Sequence, residues 1–158
     1  GCLFEGGLRI PSIVSLPGVI PEGEVRGQFA VGCDWLPTIA QFCGAELPER
    51  KLDGRSLRDA ILSPDGDAPH EQFYWQLGKG RGAQWVVRQG DWKLLGNARD
   101  NSRPRLTGQS TKLGPDDKLF LVNLADDVGE TKNVAKDQPE LLERLQEIRD
   151  RYAAEIDG

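Results

Sequence analysis

The carboxy-terminal stretch sets the main limit on what this chain can fold into. Leu141, Leu142, Leu145, Ile148, Tyr152 and Ile156 recur at helical spacing and fall on one side of a helix. Glu143, Arg144, Glu147, Arg149, Asp150 and Arg151 supply the other side. Asp137 as N-cap, with Glu140 three residues on, has the capping-box pattern. A helix with one apolar stripe needs a flat apolar partner, and a sheet is the obvious one. Four short strands are predicted ahead of it, over residues 73–77, 84–88, 92–95 and 118–124. Gln89-Gly90-Asp91 is a hairpin turn between the second and third. In the fourth, Leu119, Leu121 and Asn123 share one face, and Phe120, Val122 and Leu124 share the other. The expected unit is an antiparallel four-stranded sheet with the last helix across it.

The first 66 residues follow a different pattern. Gly1-Cys2-Leu3-Phe4-Glu5-Gly6-Gly7-Leu8-Arg9-Ile10-Pro11 sets a Gly-Gly pair between an acid and a base. An apolar run follows, Ile10, Ile13, Val14 and Leu16, closed by Pro17-Gly18. It predicts a buried strand over residues 9–16, entered through a tight bend that needs glycine. Phe29 and Val31 suggest a short extended piece. Asp34 is placed to cap a helix carrying Trp35, Leu36, Ile39, Ala40 and Cys43, with Gly44 as its stop. A turn at 52–57 and a short helix near 56–62 come next. Residues 63–70 hold Pro64, Gly66 and Pro69 and read as a linker. A domain boundary is expected there, giving domains 1–66 and 67–158. Residues 96–117 are long, polar and without period, which suits a functional or mobile loop.

Composition narrows the function. The formal net charge is -5, which argues against nucleic acid as a partner. No apolar run is long enough to span a bilayer, so no membrane role is expected. The basic residues Lys79, Arg81, Arg88, Arg99, Arg103, Arg105 and Lys112 are either solvated loops or a rim that attracts an anion. Three cysteines are present. Cys33 and Cys43 share one helix and point apart, so a disulfide is not expected, and no C-x-x-C spacing suggests zinc. Buried or half-buried thiols are the expectation. His70 stands alone in the linker, with a surface or capping role favoured over that of a general base.

Six segments, in order, resemble the sulfatase family. Glu5-Gly6-Gly7-Leu8-Arg9-Ile10-Pro11 is similar to its E-G-G-x-R-x-P, and Ser15 to Pro21 to its W-P-G-x-I-P. Asp34-Trp35-Leu36-Pro37-Thr38-Ile39 is similar to D-L-L-P-T-L, and Leu52-Asp53-Gly54-Arg55-Ser56-Leu57 to L-D-G-x-S-L. Val87 to Leu94 resembles V-R-x-G-x-W-K-L, and Leu121 to Ala135 resembles L-Y-D-L-x-x-D-P-G-E-x-x-N-L-A. Val122-Asn123 stands where the family has Tyr-Asp, and Val128 where it has Pro.

The resemblance implies an α/β then α+β chain. Residues 1–66 would be the tail end of an alkaline-phosphatase-like α/β domain. Residues 67–158 would be the small domain with its four-stranded antiparallel sheet and packed C-terminal helix. It implies a parent that hydrolyses sulfate esters of aryl compounds or carbohydrates, using calcium and a formylglycine made from Cys or Ser in C/S-x-P-x-R. No segment of this chain matches that motif, so no catalytic or metal residue is assigned. Asp126-Asp127 falls on the family's structural turn. In the family a catalytic lysine stands directly before the glycine that matches Gly1, so the chain is expected to continue upstream. By itself it is expected to be inactive and to expose apolar faces that missing partners would cover. Its partners would be a sulfated small molecule or carbohydrate and the missing N-terminal part. The compartment would be periplasmic or extracellular. Glu5 and Arg9 are expected to hold the bend, and Trp75, Gln76, Lys79 and Arg81 to reach toward substrate. The alternative is a non-catalytic carbohydrate-binding or interaction module derived from a sulfatase.

Overall fold

The computed structural model describes residues 2–99, 113 and 117–157. Arg103, Arg105, Lys112 and most of the polar stretch 96–117 lie outside the described residues. Among those described, the helices are α1 (Glu5–Leu8), α2 (Trp35–Cys43), α3 (Arg58–Leu62) and α4 (Pro139–Asp157). The strands are β1 (Gln72–Leu77), β2 (Gln84–Gln89), β3 (Trp92–Gly96) and β4 (Leu119–Asn123). Two compact units result: Gly1–Pro11 with Gln72–Gly158, and Ser12–Glu71. These units divide after Pro11 and Glu71, whereas the sequence suggests a single boundary near residue 66.

The first unit is the expected sheet. Its strands run in the order β1-β2-β3-β4, every neighbour antiparallel. Gly90 turns β2 into β3 at φ 58°, a conformation that glycine adopts without strain. On one face Tyr74, Trp85, Val87, Leu94 and Leu121 pack with Leu145 and Ile148 of α4. Tyr152 stacks on Tyr74 with ring centroids 5.8 Å apart. The stripe ends there, because Ile156 is 59% exposed. A 19-residue helix is about 28 Å long, and strands of five or six residues span roughly 17–20 Å, so the helix overhangs the sheet. The helix also starts later than the capping pattern suggests. Asp137 ends a 3-10 turn (Ala135–Asp137), and Pro139 takes the first helical position, where a missing N–H costs nothing.

The opposite face of the sheet is covered too. Val86, Leu95, Phe120, Val122 and Leu124 meet Leu3 and Phe4, with Phe4 edge-on to Phe120 at 5.7 Å. This explains why the inner strands read Val-Val, Leu-Leu and Phe-Leu-Val rather than alternating: both sides are core. Two glycines permit the packing. A Cβ on Gly7 would sit 2.3 Å from the Cys2 carbonyl oxygen. A Cβ on Gly96 would sit 2.0–2.4 Å from the Trp85 indole.

The second unit contains no strand among its residues. The predicted strand over 9–16 does not form, and its apolar side chains are exposed: Ile10 74%, Ile13 96%, Val14 40%, Leu16 40%. An extended run needs a neighbour for its backbone groups, and none of the described residues pairs with it. The unit is held by α2 and α3 and by side chains reaching across loops. Arg26 Nε donates to the Ala60 carbonyl at 3.0 Å, and Gln28 Nε2 to the carbonyls of Pro64 and Gly66, both at 3.0 Å. Gly44 ends α2 in the left-handed conformation, as its place in the sequence predicts.

Candidate functional site

Lys93 lies mid-strand in β3, on the face covered by the amino-terminal segment, and is wholly buried. An ammonium in that position needs charged partners. It donates to Glu5 Oε1 at 2.8 Å, and Glu130 Oε1 lies 2.8 Å away on another side. Glu130 Oε2 accepts the backbone N–H of Glu5 at 2.5 Å. Both glutamates are buried, at 7% and 2% exposure. Three segments far apart in sequence therefore meet at one charged centre: the α1 bend, the β2–β3 hairpin and the turn after β4.

The centre is overweighted with acid, two carboxylates to one ammonium. Arg9, which is exposed, reaches only to 3.8 Å from Glu5 Oε2. The expected Glu5–Arg9 pair is thus present, but Lys93 is the nearer partner of Glu5. One carboxylate oxygen, Glu5 Oε2, has no hydrogen-bond donor among the described residues. Glu130 Oε1 lies 2.8 Å from the Lys93 ammonium, a contact that favours the ionised carboxylate. Burial pushes the Glu130 carboxyl above its usual range, against the pull of Lys93. Arg88 is level with Lys93 across the ladder. Burial lowers its pKa, opposed by Glu5 and Asp91. Glu130 also has φ 52°, uncommon for a side chain that is not glycine and a frequent mark of a constrained, useful position.

The proposed substrate-contact residues do not form one cluster. Trp75 is half-buried on the Lys93 side of β1, its ring 4.9 Å from Phe73. Gln76 is on the other face of the same strand, accepting the Tyr74 hydroxyl and donating to the Gly78 carbonyl at 3.3 Å. Lys79 and Arg81 are exposed at the 3-10 turn Gly80–Gly82. Asn97, itself at φ 50°, secures that turn by donating to the carbonyls of Arg81 at 3.0 Å and Ala83 at 2.9 Å. A shallow depression lies elsewhere, lined by Trp92, Asn123, Asp127, Thr131 and Lys132. There Asp127 accepts the backbone N–H groups of Thr131 and Lys132, so its carboxylate shapes the turn.

The second unit has its own buried polar centre, at Asp34. Its side chain does not cap α2. Oδ2 accepts the N–H of Val31 at 2.8 Å, and Oδ1 accepts that of Arg55 at 2.9 Å and the ring N–H of His70 at 2.6 Å. His70 is therefore not a surface residue; it is 5% exposed and fastens the 63–70 stretch to the Asp34 turn. The thiols also depart from expectation. All three are free, but Cys33 and Cys43 are exposed and only Cys2 is half-buried. Among the described residues no group of three or more His, Cys, Asp or Glu is placed to hold a metal ion. No described helix is long and apolar enough to cross a membrane.

Sequence reasoning found Glu5 and missed Lys93 and Glu130. The signal was available for Lys93, a lone cation inside the apolar run Trp92-Lys93-Leu94-Leu95. Glu130 sits after Gly129 in a turn, where nothing distinguishes it from a solvated acid.

Comparison with known proteins bears on this arrangement. No family model matches the chain. Human arylsulfatase A is 32% identical over 161 residues, covering 94% of this chain and 31% of its own length. The crystal structure of Ps i-CgsB superposes with TM-score 0.64 at 22% identity, over 86% of this chain and 27% of that one. A protein crystallised with its substrate D-glucosamine-2-N,6-O-disulfate superposes with TM-score 0.59 at 21% identity, over 87% of this chain and 27% of that one. The chain is a sulfatase relative. It corresponds to a C-terminal portion of such a protein, and it spans about a third of the length of human arylsulfatase A.

Proposed function

We propose that this chain serves sulfate-ester hydrolysis as the C-terminal part of a sulfatase. One observation carries the reading: similarity to human arylsulfatase A runs through 94% of the chain. In this reading residues 1–66 are the last pieces of a large α/β domain like that of alkaline phosphatase, and residues 67–158 are its small domain. The exposed side chains of Ile10, Ile13 and Val14 would then be covered by the rest of that domain. The substrate would be a sulfated small molecule or carbohydrate. A sulfated sugar is supported by the neighbour crystallised with a glucosamine disulfate. Neither nucleic acid nor membrane is a partner in this reading, and the compartment is periplasmic or extracellular.

The described residues do not fit a calcium site, and the chain has no C/S-x-P-x-R. Calcium and formylglycine would belong to the part of the parent enzyme that this chain does not include. What this chain would contribute is support and contact. Glu5 and Arg9 hold the bend, a supporting role of the kind that orients groups touching the substrate. Trp75 offers an apolar face for a sugar or aryl ring, and Lys79 and Arg81 offer cations to further sulfates. Trp75 and Gln76 point to opposite sides of β1, so they would meet different parts of a substrate.

The test is to assay the 158-residue chain and a longer polypeptide containing it against an aryl sulfate and a glucosamine sulfate. Turnover is expected only from the longer polypeptide, with Arg81→Ala raising KM and sparing kcat. A longer polypeptide that carries the nucleophile motif and turns over neither ester would overturn the reading. Binding of the sulfated sugar by the 158-residue chain alone, without turnover in any form, would favour the interaction module.

A further inference from the structure

The shallow depression beside Trp92 carries chemistry that the reading above leaves unused. It lies wholly in the first unit, where β3 begins, β4 ends and α4 starts, and its volume is about 480 Å³. Small-ligand sites span about 300–1,000 Å³. Trp92 stands level with Asn123 across the ladder and is half-buried, packed in part against the core beneath α4. Around it the polar side chains divide into two sets. The inner set is spent on the frame. Asn123 Oδ1 accepts the Ala125 N–H at 2.9 Å, and Asp127 accepts the N–H groups of Thr131 at 2.8 Å and Lys132 at 2.9 Å. The outer set, Asp126, Lys132, Asp137 and Gln138, is exposed. None of these four side chains has a hydrogen bond or ion pair among the described residues. The floor is thus fixed by folding, and the rim keeps its donors and acceptors for a ligand. We propose that this depression is a binding site for one uncharged sugar ring of a glycan, with Trp92 as its platform.

The balance of charge decides the ligand class. Asp126, Asp127 and Asp137 stand against Lys132 alone, so a sulfate meets net repulsion. Lys132 in turn opposes a cation. Hydroxyl groups suit both signs, because each one donates and accepts. The carboxylates of Asp126 and Asp137 accept from them. The Lys132 ammonium, the Gln138 amide and Asn123 Nδ2 donate to them. The C–H face of a pyranose offers Trp92 an apolar surface of matching size, and the indole is apolar across its face. The fixed floor lowers the cost of ordering the site on binding. The site stands on its own geometry. Its use rests on the sulfatase reading above, in which it holds an unsulfated unit of the glycan that carries the ester.

The experiment titrates the 158-residue chain at low salt with two uncharged tetrasaccharides, of β-linked glucose and of β-linked galactose, and with a sulfated galactose tetrasaccharide. Nitrogen-15 NMR follows the Trp92 indole N–H and the Gln138 side-chain amide. A saturable shift is expected with at least one uncharged probe, at a Kd of about 0.1–1 mM, and at least about fivefold weaker binding of the sulfated one. Trp92→Leu keeps apolar volume against the core and is expected to weaken binding at least about tenfold, read at Gln138. A double variant on the exposed rim, Asp126→Ala with Asp137→Ala, is expected to weaken it about three- to tenfold, read at Trp92, with the melting midpoint unmoved. The rim variant decides the matter if Trp92→Leu fails to fold. No saturable shift from either uncharged probe up to about 10 mM overturns the site. So does binding that the rim variant leaves unchanged, or a sulfated probe that binds as tightly as its uncharged counterpart. Binding of an uncharged probe without sulfate-ester turnover in any longer polypeptide would sink the sulfatase reading and leave the site. Turnover without such binding would do the reverse.

Discussion

Asp34 in one unit and Lys93 in the other are both wholly buried, yet they are partnered in opposite ways. Asp34 is one anion facing three N–H donors, and the donors come from three separate pieces of chain. Lys93 is one cation facing two anions, inside a unit already held by apolar packing on both sheet faces. Where apolar area is scarce, the polar centre carries the structure. Where it is plentiful, the centre can carry more acid than base.

The largest test of this contrast is Leu145→Asp. Leu145 has no exposure and sits where α4 meets the sheet. A buried, unpaired carboxylate there replaces a side chain worth roughly 1.5–3 kcal/mol of burial and adds its own desolvation cost. The first unit is expected to unfold. The fluorescence of its tryptophans, Trp75, Trp85 and Trp92, should shift to water-exposed wavelengths. Glu147→Ala, on the exposed side of the same helix, should leave the melting midpoint unmoved. Equal effects from the two would mean that apolar packing is not what holds the unit.

Next in size is Asp34→Asn. The new amide group would point N–H toward N–H at one of its present donors. Hydrogen bonds to a buried charged group contribute about 1.5–3 kcal/mol each, and the substitution weakens all three and reverses at least one, while the second unit has no sheet among its described residues to absorb the loss. Cleavage at residues 46–71 by a protease should accelerate sharply, with the sheet still protected. If the sheet opened first, the second unit would not depend on Asp34 in the way described.

Lys93→Met should cost less, about 2–3 kcal/mol, because Glu130, whose carboxyl burial already raises, can take up a proton rather than stay charged. The difference between its cost at acid and at neutral pH sharpens the comparison, since the loss should be smaller in acid. Gly96→Ala comes below it. The added methyl meets the Trp85 indole, and overpacking of this kind costs about 1–3 kcal/mol. Trp85 also carries the guanidinium of Arg149 5.2 Å above its ring, so its emission should report the displacement directly. A variant with unaltered emission and stability would mean that the ring has room to move.

Much of the first unit was legible in the sequence, because periodicity reports burial. The faces of β4 were assigned from alternation alone, and Leu119 and Leu121 do face α4 while Phe120, Val122 and Leu124 face the other way. The cover on that second face was not legible. Leu3 and Phe4 are too short a run to announce themselves, and the longer run 9–16 drew attention as a strand. Apolar spacing states that a side chain wants burial, not that a partner is at hand. The centres were hidden for another reason. Asp34 resembles an N-cap in sequence, His70 a linker residue and Glu130 a turn acid, since hydrogen bonds across 36 or 125 residues leave no local pattern. Lys93 alone left a local signal, a charge in an apolar strand, and it was passed over.

The smallest expected effect is the one that separates the two centres most cleanly. Glu130 is raised above its ordinary value by burial, against the opposing influence of Lys93. In the folded state it binds a proton that the unfolded chain, with a carboxyl near 4.5, releases. Between those two values the folded form holds more protons, so the stability of the first unit should fall as pH rises. Most surface carboxylates slope the other way, because pairing in the folded state makes them stronger acids. Urea unfolding of the first unit, followed by tryptophan emission at a series of pH values, should therefore show a shallow decline above pH 4.5. The same series in Glu130→Gln should lose that decline and keep the rest of the profile. A decline that survives the substitution would place the proton on another group.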